Sequence, residues 1–133
     1  MGTRSQTRIQ DTQGRVYVQI YRQMDGYPSG MGKDLADIMA SRSLTNGIGG
    51  NKEVFNGAGR FAAYLVGALK GDRAGSIYLQ PSTEDLFDYD YTYVITYPDD
   101  PTGAFAIDVH DHQGKKLFVG QLPEFTAFCA SDN

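Results

Sequence analysis

The chain has 133 residues, 41% of them hydrophobic and 21% charged, with a net charge of −4. This fits one folded domain, 1–133, with a single core, and it excludes a disordered chain; the overall acidity excludes a broad basic face for duplex nucleic acid. The longest apolar stretch, Phe61 to Leu69, is broken by Gly67 and falls far short of the roughly 20 residues that cross a bilayer.

In chain order, Thr3 to Gln10 is a polar candidate strand, set to pair across the Asp11–Gly14 turn with Arg15 to Arg22. In that second segment Val16, Val18 and Ile20 alternate with Tyr17, Gln19 and Tyr21, the period of a half-buried strand. The glycines and proline of MDGYPSGMG stop both periodicities and predict a shaped loop. Leu35, Ile38 and Met39 then fall at helical spacing, predicting a helix over Lys33 to about Ser43. After the glycine-rich stretch Thr45 to Gly59, Phe61, Ala62, Leu65, Val66 and Leu69 predict a second helix from about Ala58. Ile77 to Gln80, Tyr89 to Tyr97, Ala104 to His110 and Leu117 to Val119 read as strands, the last ones as a meander. The expected fold is α+β: a mostly antiparallel sheet of five to six strands with two helices on one face, a few residues at each end being candidates for disorder. No internal repeat or low-complexity linker is expected.

Charge is unevenly spread. Arg4, Arg8, Arg15 and Arg22 face only Asp11 in the first 22 residues, whereas carboxylates outnumber Lys115 and Lys116 from Glu84 onward. The one cysteine, Cys129, has no intramolecular partner, and the N-terminus lacks the apolar core of a signal peptide, so a reducing cytoplasm is the expected location.

Catalytic equipment is sparse. His110 and His112 are the only imidazoles, and His-x-His with Asp108 supplies too few ligands for a metal, so solvated hairpin residues are the expected reading. Asp85, Asp88 and Asp90 read as solvated charge before a strand, and Cys129 in FTAFC as a small apolar residue. No catalysis, metal or cofactor is therefore expected. Asn56-Gly57-Ala58-Gly59-Arg60, by contrast, opens a helix, where unpaired N–H groups and the positive dipole end face an anion. The same glycines equally suit close approach of two helices or a neighbouring subunit. With nine tyrosines and seven phenylalanines, among them Tyr27, Phe87 and Tyr89, the chain also has stacking surface that would complement Arg22 and Arg60 around a flat base carrying phosphates.

The segments YRQMDGYPSGMG, NGAGRFAAYLVGAL, SIYLQP and DYDYTYVI resemble, in this order and over most of residues 15 to 119, a family of small phage and prophage proteins; the Asp-Gly-Tyr-Pro loop, two helices and Tyr-x-Tyr strand are similar to the anti-Thoeris sponge proteins of phages. The resemblance implies a non-catalytic homo-oligomer, assembled through its two helices, that sequesters a cyclic ADP-ribose isomer or a cyclic oligonucleotide made by bacterial immune enzymes. It further implies a pocket lined by Arg22, Met24 and Tyr27 from the first loop and by Asn56 and Arg60 from the second helix start. Phe87 and Asp88 would close that pocket, with Arg73, Lys115 or Lys116 supplying any second phosphate contact. Two other readings compete. One is a protein-interaction module that anchors a host enzyme or an assembly partner on the same aromatics. The other is a hydrolase or metal enzyme built on His110, His112 and the carboxylates.

Overall fold

The computed structural model describes residues 2–45, 54–71, 76–100 and 103–131. Among them, the strands are β1 (Ser5–Asp11), β2 (Val16–Arg22), β3 (Ser43–Thr45), β4 (Val54–Asn56), β5 (Ile77–Gln80), β6 (Tyr91–Tyr97), β7 (Ala106–Asp111) and β8 (Lys116–Gln121). The helices are α1 (Lys33–Ala40), α2 (Ala58–Lys70) and α3 (Leu122–Ala130), with a π-helical turn, Pro28–Gly32, leading into α1. Six strands form one sheet in the order β5-β2-β1-β6-β7-β8, and β3 and β4 form a separate parallel pair. Within the main sheet only the central β1–β6 pair is parallel. The α+β, mostly antiparallel expectation holds. The helix count does not: the C-terminal FTAFC segment, which carries no predicted element, belongs to a third helix. Its start is fixed by Pro123 in the first turn and by Gln121 and Glu124, whose side chains bond each other's main-chain N–H groups in a capping box. The strand expected from Tyr89 begins only at Tyr91.

Alternation sorts the sheet's two faces. Ile9, Ile20, Tyr93, Ile95, Ile107 and Val109 share one buried face with Met31, Leu35, Phe61, Leu65 and Phe125 from the helical layer. Ser5 and Thr7 stand on that same face of β1, completely buried, and their hydroxyl oxygens have no hydrogen-bond partner among the described residues. A buried hydroxyl with nothing to bond costs more than the methyl that would replace it. Thr7→Val is therefore expected to stabilise the fold by about 1 kcal/mol, read as a higher urea midpoint at unchanged slope; a lower midpoint would show that the hydroxyl is satisfied.

The Asp-Gly-Tyr-Pro loop is a packing hub. Gly26 donates its N–H to the Thr3 carbonyl at 2.9 Å, and its own carbonyl accepts the buried Tyr93 hydroxyl at 2.7 Å. Asp25, at φ +58°, turns the chain so that its carbonyl accepts Met31 N–H at 2.8 Å. Three close approaches require glycine here: an added Cβ would strike β1 at Gly26, the Asp25 carbonyl at Gly30 and Cys129 at Gly32.

The sequence does contain a local repeat. Asp11-Thr12-Gln13-Gly14-Arg15 and Asp111-His112-Gln113-Gly114-Lys115 form the same hairpin turn, with Gly14 at φ +83° and Gly114 at φ +77°. Each Asp carboxylate accepts two main-chain N–H groups, Gln13 and Arg15 at 2.9 and 3.0 Å in one turn, Gln113 and Lys115 at 2.9 Å in the other. Both hairpins flank β6, where Arg8 and Asp108 face Val94 from opposite sides, so a local pseudo-two-fold axis runs through that residue. Desolvation alone would raise the Asp11 carboxyl, but N–H bonds from Arg15 and Gln13, the Tyr17 hydroxyl and the Arg15 charge outweigh it and hold it below its ordinary 3.8. Asp111 is lowered in the same way: desolvation is outweighed by N–H bonds from Gln113 and Lys115 and by the His112 and Lys115 charges. A folded-state pKa below the unfolded one contributes stability that is present above the unfolded value and is lost as pH falls through the folded value. Unfolding followed from about pH 7 to about pH 2 should therefore show an acid limb that flattens in Asp11→Asn plus Asp111→Asn; an unchanged limb would place the acid sensitivity elsewhere.

Candidate functional site

The residues singled out in the sequence occupy three places. Arg22 ends β2 and is largely consumed: Nη1 pairs with Asp34 Oδ2 at 2.6 Å and touches Met31 Sδ at 3.3 Å, while Nε donates to the Met24 carbonyl at 2.8 Å. Arg22 and the half-exposed Met24 line a small cleft with Asp25, Asp34, Leu69 and Ser76. Tyr27 precedes the π-helical turn and donates its hydroxyl to Asp25 Oδ1 at 3.2 Å. Asn56 and Arg60 stand at the start of α2. Because α2 rises about 1.5 Å per residue, Arg60 and the Leu69 end of the Arg22 cleft are roughly 14 Å apart. Phe87 and Asp88 lie in the β5–β6 connection, where Phe87 rests against the His110 ring at 4.9 Å. The structure thus gathers Arg22 with Met24, Asn56 with Arg60, and Phe87 with Asp88, in one chain without joining the three pairs. Lys115 and Lys116 follow Asp111, which is level with the first residue of β6, whereas Gly57 bonds the last, Tyr97. Arg73 and the stretch 46–53 lie outside the described residues.

The most suggestive gathering is at the start of α2. A cleft of about 220 Å³ there is lined by Arg42, Val54, Phe55, Arg60 and Tyr64. Its floor is rigid. Phe55, 1% exposed, meets Phe61 edge-on at 5.0 Å and Tyr64 at 5.4 Å, and Phe105 and Tyr97 extend the cluster beneath. The Tyr97 hydroxyl donates to the Phe55 carbonyl at 2.8 Å and accepts Gly57 N–H at 3.1 Å, fixing where α2 begins. Gly57 caps the helix at φ +88°, a conformation open chiefly to glycine. At the rim, the Arg42 guanidinium sits 5.4 Å from the Tyr64 ring centroid. Arg60, one turn before Tyr64, is exposed and carries no ion pair among the described residues. Arg42 and Tyr64 escaped the sequence reading. Tyr64 was accessible as the residue four after Arg60 on the same helix face; Arg42 had no local signal.

Other chemistry is thin. No group of three or more His, Cys, Asp or Glu side chains able to hold a metal ion occurs among the described residues. Cys129, 3% exposed, packs its sulfur against Gly32. No helix among the described residues is long and apolar enough to cross a membrane. Compared with protein-family models, with curated proteins and with solved structures, the chain finds no match in any of the three.

Proposed function

We propose that this chain is a non-catalytic phage protein that captures an anionic nucleotide signal, a cyclic ADP-ribose isomer or a cyclic oligonucleotide, in the host cytoplasm and thereby counters bacterial anti-phage defence. The observation that carries the reading is the cleft at the start of α2, where two guanidinium groups and two aromatic rings surround a glycine-flanked helix start. Arginine forks onto phosphate oxygens, an aromatic face holds a base, and the N–H groups of the first helical turn add positive potential.

The cleft is smaller than the roughly 300 to 1,000 Å³ usual for a small-molecule site, so a second protomer would complete it. Gly59, Ala63 and Gly67 leave the exposed side of α2 bare, and a Cβ on Gly67 would meet nothing within 4 Å. Glycine inside a helix costs about 0.5–1 kcal/mol relative to alanine, and no contact among the described residues explains Gly67. Close approach of a partner helix does.

Isothermal titration with cyclic ADP-ribose isomers and cyclic dinucleotides is expected to give saturable heat, weakened about tenfold or more in Arg60→Ala through loss of one charge-assisted contact. No heat with any of them removes the proposal. A second reading, a protein-interaction module, draws on the apolar edge where Met24, Tyr78 and Leu79 are 50%, 49% and 64% exposed. Capture of one defined host protein, lost on Leu79→Asp and indifferent to Arg60→Ala, would favour it.

A further inference from the structure

We propose that the β5–β6 connection, residues 81–90, is a strap that lifts from the sheet as a unit while the sheet stays folded, uncovering a ready-made polar pocket. The strap crosses the sheet face opposite the helices, over the alternate positions Gln6 and Gln19, which are 0% and 1% exposed beneath it. Its attachment is mostly through its own main chain; its side chains add Asp90 Oδ2, which accepts Arg4 N–H at 2.9 Å, and the Tyr89 hydroxyl, which accepts Gln80 Nε2 at 3.5 Å. Gln6 Nε2 donates to the Asp85 carbonyl at 2.7 Å, Gln19 Nε2 to the Glu84 carbonyl at 3.2 Å and Arg8 Nη2 to the Ser82 carbonyl at 3.3 Å; Phe87 N–H in turn donates to Gln6 Oε1 at 3.0 Å. Gln80 locks the two amides in place, its Oε1 accepting from Gln6 at 3.3 Å and from Gln19 at 3.1 Å.

What the strap lacks matters as much. None of its residues belongs to the hydrophobic core or packs against it. Among the described residues its ring contacts are three: Phe87 on His110 at 4.9 Å, Tyr89 on Tyr21 at 4.8 Å and the Arg4 guanidinium over Tyr89 at 5.0 Å. Phe87 is also held at φ +73°, a left-handed conformation that a bulky residue resists. Lifting the strap therefore breaks a few polar bonds of small net worth and relaxes one strained residue. The surface it uncovers is amide and guanidinium, which water satisfies, together with the Tyr21 and His110 rings, which are half-buried and stand outside the hydrophobic core, so no core is exposed. Segments with those properties open below the global unfolding free energy. The pocket beneath presents amide and guanidinium donors to carbonyl oxygens and one amide oxygen to an N–H, the pattern of a polypeptide main chain, which the closed strap supplies from the same molecule.

Native-state hydrogen exchange on the intact protein tests this. The Phe87 amide is expected to exchange on the order of a hundredfold faster than those of Ile9 and Ile95 in the central strands, with little urea dependence, while the strand amides show the urea dependence of global unfolding. In Gln6→Met the ratio of Phe87 to Ile95 exchange rates should widen by about a further tenfold, and because a ratio is read, general destabilisation does not mimic the effect. Equal rates and equal urea dependence at Phe87, Ile9 and Ile95, or an unchanged ratio in Gln6→Met, would overturn the proposal.

Discussion

Gly26→Ala is expected to cost about 3 kcal/mol, at the upper end of overpacking penalties, and to leave little folded protein in a marginally stable domain. The added methyl would stand 2.7 Å from Ser5 Cβ, 2.8 Å from the Arg4 carbonyl carbon and 2.9 Å from Ser5 N. Those atoms belong to, or lead directly into, the central strand β1, which is paired on both sides and has no room to retreat. The loop has none either, since Gly26 bonds Thr3 through its N–H and Tyr93 through its carbonyl. Gly32→Ala offers the control. There the methyl would meet Cys129 Sγ at 2.7 Å, a side chain rather than backbone, with Tyr93 next at 3.5 Å. Trimming the sulfur should make room, so Cys129→Ala is expected to recover most of the stability lost in Gly32→Ala and none of that lost in Gly26→Ala. Urea midpoints of the four variants decide the matter. A Gly26→Ala protein as stable as the parent would mean that the loop docks differently, and failure of Cys129→Ala to rescue Gly32→Ala would refute the contact.

These two glycines also show what the sequence could convey. MDGYPSGMG announced a shaped loop, but the reason for each glycine is a partner far away in the chain, β1 for Gly26 and α3 for Gly32. The main-sheet strands and the first two helices were legible because their periodicity is local: Val16, Val18 and Ile20 in β2, and Phe61, Ala62 and Leu65 in α2, carry their burial in their spacing, whereas β3 and β4 are too short to show a period and fell where a helix end and a glycine-rich stretch were expected. The third helix was missed although Gln121, Pro123 and Glu124 spell a capped start and Leu122, Phe125 and Cys129 fall at helical spacing, because Ala127, Phe128 and Ala130 make the rest of this nine-residue segment apolar as well and blur the stripe. Gln19 stood on the polar side of an alternating strand and Gln6 in a segment read only as polar; the strap that buries them arrives more than 60 residues later. At the candidate site the limit was neutralisation. Arg22 and Arg60 looked equally available in the sequence, yet Asp34 on α1 holds Arg22 at 2.6 Å, while Arg60 has no ion pair among the described residues.

The Arg60 cleft depends on a residue that does not line it, and Tyr97→Phe should expose the dependence. The ring remains, still packed on Phe61 at 6.0 Å and Phe105 at 5.6 Å, so apolar burial is unchanged and only the hydroxyl goes. With it go two bonds to main-chain groups, the Phe55 carbonyl and Gly57 N–H, which tie β4 and the first turn of α2 to the end of β6. Leaving buried main-chain groups unpaired costs about 1–3 kcal/mol, and a loss of about 2 kcal/mol in urea unfolding is expected. The first turn of α2 should also loosen, seen as faster amide exchange at Phe61, whose N–H bonds the Gly57 carbonyl at 3.1 Å. If that turn presents Arg60 and its own N–H groups to an anion, nucleotide binding weakens in Tyr97→Phe along with stability. Arg60→Ala, a surface change worth no more than about 0.5 kcal/mol to the fold, should weaken binding alone. A Tyr97→Phe protein that unfolds and exchanges like the parent would show that the hydroxyl does not anchor the helix; one that loosens yet binds as tightly would separate the ligand site from the start of α2.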